Sequence, residues 1–298
     1  MANPTTTQNI TNLQEKVIGP ARQTLKDDML AIKSSFWVER GEAGMDDTYN
    51  SPKLPGVTAY GLTEDVDMST ETIVDSNVSV SATEVGVAVR VTNKMLRTVN
   101  GSSFLRDVGK AMGSAINVKQ EQDFATLPDG FGSVVGLDGS AAVIGHLSAA
   151  LSQLRSNTEP INPAMMAGVS AVISPAGWHA IAKQLFPTGS GDSQAPMTPT
   201  PTSVAERTFS RWGPVGNYFG TPIKISNNLV TATNDVRSGV WHREAGLIYE
   251  FMPVDLEVDD SDKSMRSREL IMVMDYGYVE INDGFGREWD HDNVAPTS

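Results

Sequence analysis

One stretch, Ser102 to Leu127 (SSFLRDVGKAMGSAINVKQEQDFATL), constrains the architecture more than any other. A hydroxyl at Ser102 or Ser103 can accept a hydrogen bond from a free first-turn N–H, which starts a helix. Apolar side chains follow at Phe104, Leu105, Val108, Ala111, Met112, Ala115 and Ile116, the spacing of one helical face. Pro128-Asp129-Gly130 stops it. Gly109 and Gly113 lie four apart, and each costs about 1 kcal/mol of helix stability against alanine. That cost predicts a second backbone passing close by. From Asn117 the chain turns polar through Lys119, Gln120, Glu121, Gln122 and Asp123. This half is expected to be wet or to meet a partner.

The segments before this helix look short of interior. Residues 1–44 read as an arm. Ile10, Leu13 and Val17 give a weak amphipathic turn or two, ending near Gly19-Pro20. Leu25, Met29, Ile32 and Phe36 give a second helical stripe. Helices this short need a surface to lie on, either the chain's own domain or a neighbouring subunit. Residues 41–70 are rich in turn formers and predict no regular element; a structureless run of this length is expected to be functional or ordered by a partner. Strict alternation follows: Val78, Val80 and Ala82, then Val85, Val87, Val89 and Val91. It predicts two strands turning tightly near Thr83-Glu84, a hairpin with one apolar face. A lone hairpin is marginal in water. Thr92 to Val99 predicts a short helix.

Downstream, Gly132 to Gly139 is a glycine-spaced turn region, and Ile144 to Leu154 has helical spacing. Residues 168–174 (GVSAVIS) read as a buried strand leading into a helix that begins at Pro175. A strand feeding a helix gives this region an α/β character. Residues 187–214 hold five prolines among glycine, serine and threonine, so an extended, mobile loop is expected. Tyr218 to Ser226 predicts a short strand with a turn. Val240 to Met252 predicts paired strands turning at Ala245-Gly246. Val254, Leu256 and Val258 alternate, Asp259 to Ser264 is a charged turn, and Leu270 to Ile281 is apolar on both faces, as in a central strand. Asn282 to Ser298 reads as a loop-like tail.

The chain offers little chemistry. It has 298 residues, 40% of them hydrophobic and 20% charged, and no cysteine, so disulfides and thiolate chemistry are excluded. A net charge of −13 repels phosphate and argues against tight nucleic-acid binding. The opening residues carry no pattern of a secretion signal, and no apolar run is long enough to span a bilayer, so no membrane partner is expected. Phosphate loops, nucleophile elbows and paired-histidine metal motifs are absent. His146, His179, His242 and His291 do not fall at ligand spacing and are read as structural. Asp259, Asp260 and Asp262 resemble a calcium-loop opening, but Ser264 and Leu270 stand where glycine and glutamate are required. Asp290-His291-Asp292 is read as part of the polar tail rather than a metal site. The five tryptophans are scattered and make no stacking platform. No catalytic residue, cofactor or metal is therefore expected.

The order of segments is more telling than any motif. Together with SSFLRDVGKAMGSAINVKQEQDFATL, ISPAGWHAIAKQL (173–185), YFGTPIKISNNL (218–229) and RELIMVMDYGYVEI (268–281), it resembles the tailed-phage major capsid proteins. Their fold is the Hong-Kong-ninety-seven type, shared with herpesvirus shell floors and encapsulins. The resemblance implies an α+β phage capsid fold. In it, residues 1–44 are an N-terminal arm and 45–100 an extended β-hairpin loop. Residues 101–131 are the peripheral domain with its spine helix, 132–255 an α/β axial domain, and 256–298 the peripheral return strands and C-terminal tail. It further implies no enzymatic activity, but self-assembly as pentamers and hexamers of an icosahedral shell. Double-stranded DNA is enclosed without sequence-specific binding. Scaffolding, portal or decoration proteins are further expected partners, with the virion as location and the host cytoplasm as assembly site. Some relatives crosslink a lysine to an asparagine; Lys53, the one lysine between residues 41 and 93, is the lone loop candidate, and no reaction is predicted for it. Alternative readings are an encapsulin-type compartment shell, another virion component such as a tail or decoration protein, and a β-rich hydrolase with an acidic site near Asp259 and Asp262.

Overall fold

The computed structural model describes residues 16–23, 31–41, 46–53, 60–65, 67, 70, 76–98, 101–156, 168–185, 217–218, 220–259 and 266–294. In chain order the elements are α1 (residues 16–23), β1 (Trp37–Arg40), β2 (Thr48–Lys53), β3 (Ser76–Ser81), β4 (Thr83–Thr92) and α2 (Asn93–Thr98). Next come α3 (Gly101–Phe124), α4 (Thr126–Asp129), β5 (Val134–Gly136), α5 (Ile144–Arg155), β6 (Val169–Ile173) and α6 (Pro175–Leu185). The rest are β7 (Asn217–Tyr218), β8 (Thr221–Ile225), β9 (Thr231–Ala232), β10 (Asp235–His242), β11 (Gly246–Asp259), β12 (Ser267–Glu280) and β13 (Gly286–Asp292).

Two sheets organise the chain. A four-stranded sheet runs β1-β11-β12-β4, and a seven-stranded sheet runs β5-β13-β10-β6-β8-β7 with β9 added to β10. A two-stranded ribbon, β2-β3, stands apart. The long helix α3 lies on the four-stranded sheet. Leu105, Met112, Ile116 and Phe124 bury against Val91, Leu256, Met272 and Met274. A second core fills the space between α5, α6 and the larger sheet, with Leu147, Leu151, Ile181, Ile223 and Trp289 inside. Phe36 stacks on Trp241 with ring centroids 4.8 Å apart, joining the two bodies.

The strand into helix at Pro175 forms as expected, and β6 and β8 are parallel across the α6 connection. The helix at Ile144 and the short helix before α3 also form. β12 is central, paired to β11 on one side and β4 on the other. The expected second stripe at Leu25 and Met29, the loop 187–214 and most of the turn at 259–264 lie outside the described residues.

Five expectations are corrected. The hairpin at 78–91 does not exist: β3 pairs with β2, β4 pairs with β12, and only Ala82 separates them. Alternation reports that a strand has two faces and is silent about its partner. The run 41–70, read as irregular, contains β2 in register with β3, Thr48 opposite Ser81 and Lys53 opposite Ser76. The strands flanking Ala245-Gly246 are consecutive but unpaired, because β10 belongs to the larger sheet and β11 to the smaller. The C-terminal stretch read as a loop carries β13, which pairs β10 from Asp235↔Asp292 to Trp241↔Gly286.

The last correction concerns α3. Its polar half is not wet on all sides, since Asn117, Gln120 and Glu121 are buried. The sheet supplies their partners: Gln120 Nε2 donates to Met274 Sδ (3.1 Å), and the Tyr276 hydroxyl donates to Asp123 Oδ2 (2.6 Å). Burial and the adjoining Asp123 carboxylate hold the Tyr276 hydroxyl well above the usual phenol range. The Ile32 N–H donates to Glu121 Oε1 (3.2 Å). Burial raises the Glu121 carboxyl and lowers the Lys224 ammonium. Lys224 Nζ donates to the hydroxyls of Ser34 (2.8 Å) and Ser35 (2.9 Å). The turn at 31–36 is thus pinned to α3 on one side and to β8 on the other.

Candidate interaction surfaces

Among the described residues, no three His, Asp or Glu side chains gather in a way that would hold a metal ion. No described helix is long and apolar enough to cross a membrane. The histidines sit in separate packing roles. His146 Nδ1 accepts from the Trp289 indole (3.3 Å), and His242 Nδ1 accepts from the Glu244 N–H (3.3 Å). His291 is fully buried, with Nε2 2.8 Å from the Ser238 hydroxyl, and burial lowers its pKa. His179 lies on α6.

Asp290-His291-Asp292 is therefore a strand segment rather than a polar tail. One of its acids faces a cation: Arg237 on β10 ion-pairs with Asp290 and lies 3.1 Å from Glu288, with Asp129 and Asp138 each 3.7 Å away. Glu288 and Asp290 are two apart on β13 and so share a face. Burial, then the Asp290 carboxylate, pushes the Glu288 carboxyl up to about 8. The second Asp290 oxygen is buried and meets no N–H or hydroxyl donor. A proton held on Glu288 answers both facts. This cluster lies where β13 pairs with β10 inside the larger sheet. Asp259 ends β11 beside Glu269, and Asp262 lies outside the described residues.

What the described residues do present is three surfaces of note. The first is the β2-β3 ribbon. It is anchored where β3 crosses β12 at Gly277, whose added Cβ would sit 2.4 Å from the Ser81 carbonyl oxygen. Val80, Leu247 and Tyr249 bury together there, Tyr49 stacks on Tyr249 at 5.4 Å, and the Tyr249 hydroxyl donates to the Asp46 carbonyl (3.2 Å). Beyond this foot the ribbon has little interior. Residues 48–53 and 76–81 are mostly exposed or half-exposed, and past them Leu62 is 75% exposed. Lys53 ends β2 opposite Ser76.

The second is the edge of the smaller sheet. β4 pairs with β12 over ten consecutive residues without a bulge, and its other edge has no strand partner among the described residues. It carries no proline or lysine, the residues that usually blunt such an edge. The third surface is already occupied. α1 crosses α3 at the two glycines, where an added Cβ would lie 2.3 Å (Gly109) and 2.9 Å (Gly113) from the carbonyl oxygens of Val17 and Ala21. The close backbone expected from the glycine spacing is thus α1 of the same chain, with Val17 and Ala21 fully buried. Of the two readings of the arm, residues 16–23 take the one folded back on their own domain.

No protein-family model matches the chain, and no curated protein matches it. Solved structures do. A structure from Mycobacterium phage Che8 is 18% identical, with 83% of this chain and 85% of that one covered at a TM-score of 0.59. The capsid of the cyanophage P-SCSP1u is 13% identical, covering 87% of each chain at 0.57. The asymmetric unit of the bacteriophage PhiM1 mature capsid is 11% identical, covering 89% of this chain and 87% of that one at 0.59.

Proposed function

We propose that this chain, which has the fold of phage capsid proteins, is a major capsid protein. It self-assembles into an icosahedral shell that encloses the double-stranded DNA of a tailed phage. The observation that carries the reading is the extent of the likeness: 87% and 89% of the chain are covered by matches to two phage capsid structures. The uncovered ribbon and the open β4 edge agree with it, because a shell subunit is finished by its neighbours.

In this reading α3 and the four-stranded sheet form the peripheral domain, and the seven-stranded sheet with α5 and α6 forms the axial domain around the five- and six-fold axes. Sheet membership supports that division. β11 shares the four-stranded sheet with β12, and β13 lies in the larger sheet, so in this reading 246–255 goes with the peripheral domain and 286–292 with the axial one, where the sequence alone divides the chain at 255. Pentamers and hexamers are the assembly units, put together in the host cytoplasm and carried in the virion. Scaffolding, portal and decoration proteins are further partners. A charge of −13 suits a container that holds DNA without gripping it.

A sizing column followed by electron microscopy tests the reading. Purified protein that elutes as a large species and images as uniform closed shells supports it. A small species that stays small on concentration, or open tubes, overturns it.

A further inference from the structure

The open edge of β4 carries a charge pattern that an inverted copy of itself would complete. Along this strand the two faces alternate. Val85, Val87 and Val89 stand opposite Met274, Met272 and Leu270 of β12, on the α3 side. They pack on that core yet are only half-buried, so apolar surface remains at the rim of the sheet. On the other face Glu84, Gly86, Ala88 and Arg90 are exposed. The two charges sit toward opposite ends. Arg90 ion-pairs with Glu269, directly opposite on β12. Glu84 stands opposite a second acid, Asp275, and has no ion pair among the described residues. Like charges placed so repel.

We infer that β4 pairs edge to edge with β4 of a second copy, antiparallel, about a two-fold axis through Val87. Two four-stranded sheets thereby join into one. Any strand could satisfy the backbone N–H and C=O groups of this edge; the charge pattern is what points to a second β4. With the pair centred on Val87, Glu84 of each strand faces Arg90 of the other, and both pairs lie on the exposed face. Val85 faces Val89 on the α3 side, and Val87 faces its own counterpart. Opposite charges and β-branched pairs at such positions each favour the pairing. A guanidinium has five N–H donors, so Arg90 can hold Glu269 and the second copy's Glu84 together.

Symmetry selects the register. A two-fold axis perpendicular to the sheet leaves both α3 helices on the same side, as the wall of a shell requires. Facing residues must then belong to the same face, because a slip of one residue turns every side chain over. Two registers meet that condition and use almost the whole strand, one centred on Val87 and one on Ala88. Centred on Ala88, Arg90 would face Gly86 and Glu84 would face Thr92, so no opposite charges meet. The Val87 register alone of the two gives Glu84 a cation. The pairing rests on the shell reading above and names a contact between subunits related by a two-fold axis.

The chain has no cysteine, so an introduced thiol can meet only its own kind. Val87→Cys brings two Cβ atoms to about 5 Å across the axis, close to disulfide reach. Val85→Cys or Val89→Cys alone leaves its two thiols about 13 Å apart along the strands. Assembled particles of each variant are oxidised with diamide and run on a non-reducing gel. Val87→Cys is expected to give a covalent dimer and nothing larger. Val85→Cys and Val89→Cys are each expected to stay monomeric, and the two combined to give the dimer. Intact particles of Val87→Cys without a dimer overturn the pairing and leave the shell reading standing. A dimer from Val85→Cys or Val89→Cys alone overturns the register and the charge argument with it. Failure of the unsubstituted chain to form particles overturns both readings. Should the cysteines themselves block assembly, charge exchange decides. Glu84→Arg lowers particle yield by about tenfold or more, and adding Arg90→Glu restores it. No loss, or loss without restoration, overturns the pairing.

Discussion

An alanine methyl at Gly109 would lie 2.3 Å from the Val17 carbonyl oxygen, inside any van der Waals contact. Two effects oppose each other in Gly109→Ala. Helix propensity favours alanine by about 1 kcal/mol, while forcing the two backbones apart costs about 1–3 kcal/mol. The clash involves backbone, which cannot rotate away, so the net change is a loss. A melting temperature lowered by several degrees, with faster amide exchange in residues 16–23, is the expected outcome; a raised one means that α1 does not sit where described. Glu288 gives a second residue-scale prediction. Its carboxyl is raised from 4.5 to about 8, so between those values the native state holds a proton that the unfolded chain has lost. The stability this group contributes is present at the acid end and falls as pH rises through that window. Glu288→Gln keeps the neutral shape, so its melting temperature declines less across the same window than that of the unsubstituted chain. Parallel declines in the two proteins would show that Glu288 is ionised throughout.

At the scale of elements, the ribbon depends on its foot. Gly277→Val places a branched side chain where the Ser81 carbonyl crosses β12, with the added Cβ 2.4 Å from that oxygen. The expected result is a chain that still melts cooperatively but exchanges β2 and β3 amides faster and yields few or no particles. Normal assembly of this variant would separate the ribbon from shell formation. The elements legible in the sequence were those whose periodicity and ends agree, namely α3, α5, α6 and β12. The Gly109-Gly113 spacing even announced a crossing backbone. What stayed hidden has a common physical cause: partners distant in sequence. β13 (GREWDHD) looks like solvent-exposed chain until Arg237 on β10 pairs with Asp290, 53 positions away. β2 (TYNSPK) has no apolar stripe, and Pro52 argues against a central strand, yet the residue suits a ribbon edge. The buried half of α3 reads as polar because its partners, Met274 and Tyr276, lie over 150 positions downstream.

For the whole molecule, the decisive contrast is between two kinds of surface. The middle of the larger sheet is finished within one chain: β10 has neighbours on both sides, and Val240, Trp241 and Trp289 are fully buried. The ribbon and the outer edge of β4 are not finished, and a two-stranded ribbon is marginal alone in water. A shell explains both, because closed assembly turns unfinished surface into interface without any new fold. It also accounts for a chain that overlaps capsid subunits along most of its length while sharing few of their residues, since packing patterns tolerate substitution far better than chemical sites do. The claim is tested most directly by amide exchange compared between the dilute single chain and assembled particles. Residues 48–53, 76–81 and the free edge of β4 are expected to exchange quickly in the first and slowly in the second, while β10 stays slow in both. Equal and strong protection of the ribbon in the dilute chain would mean that the subunit completes itself, and the shell reading would fall.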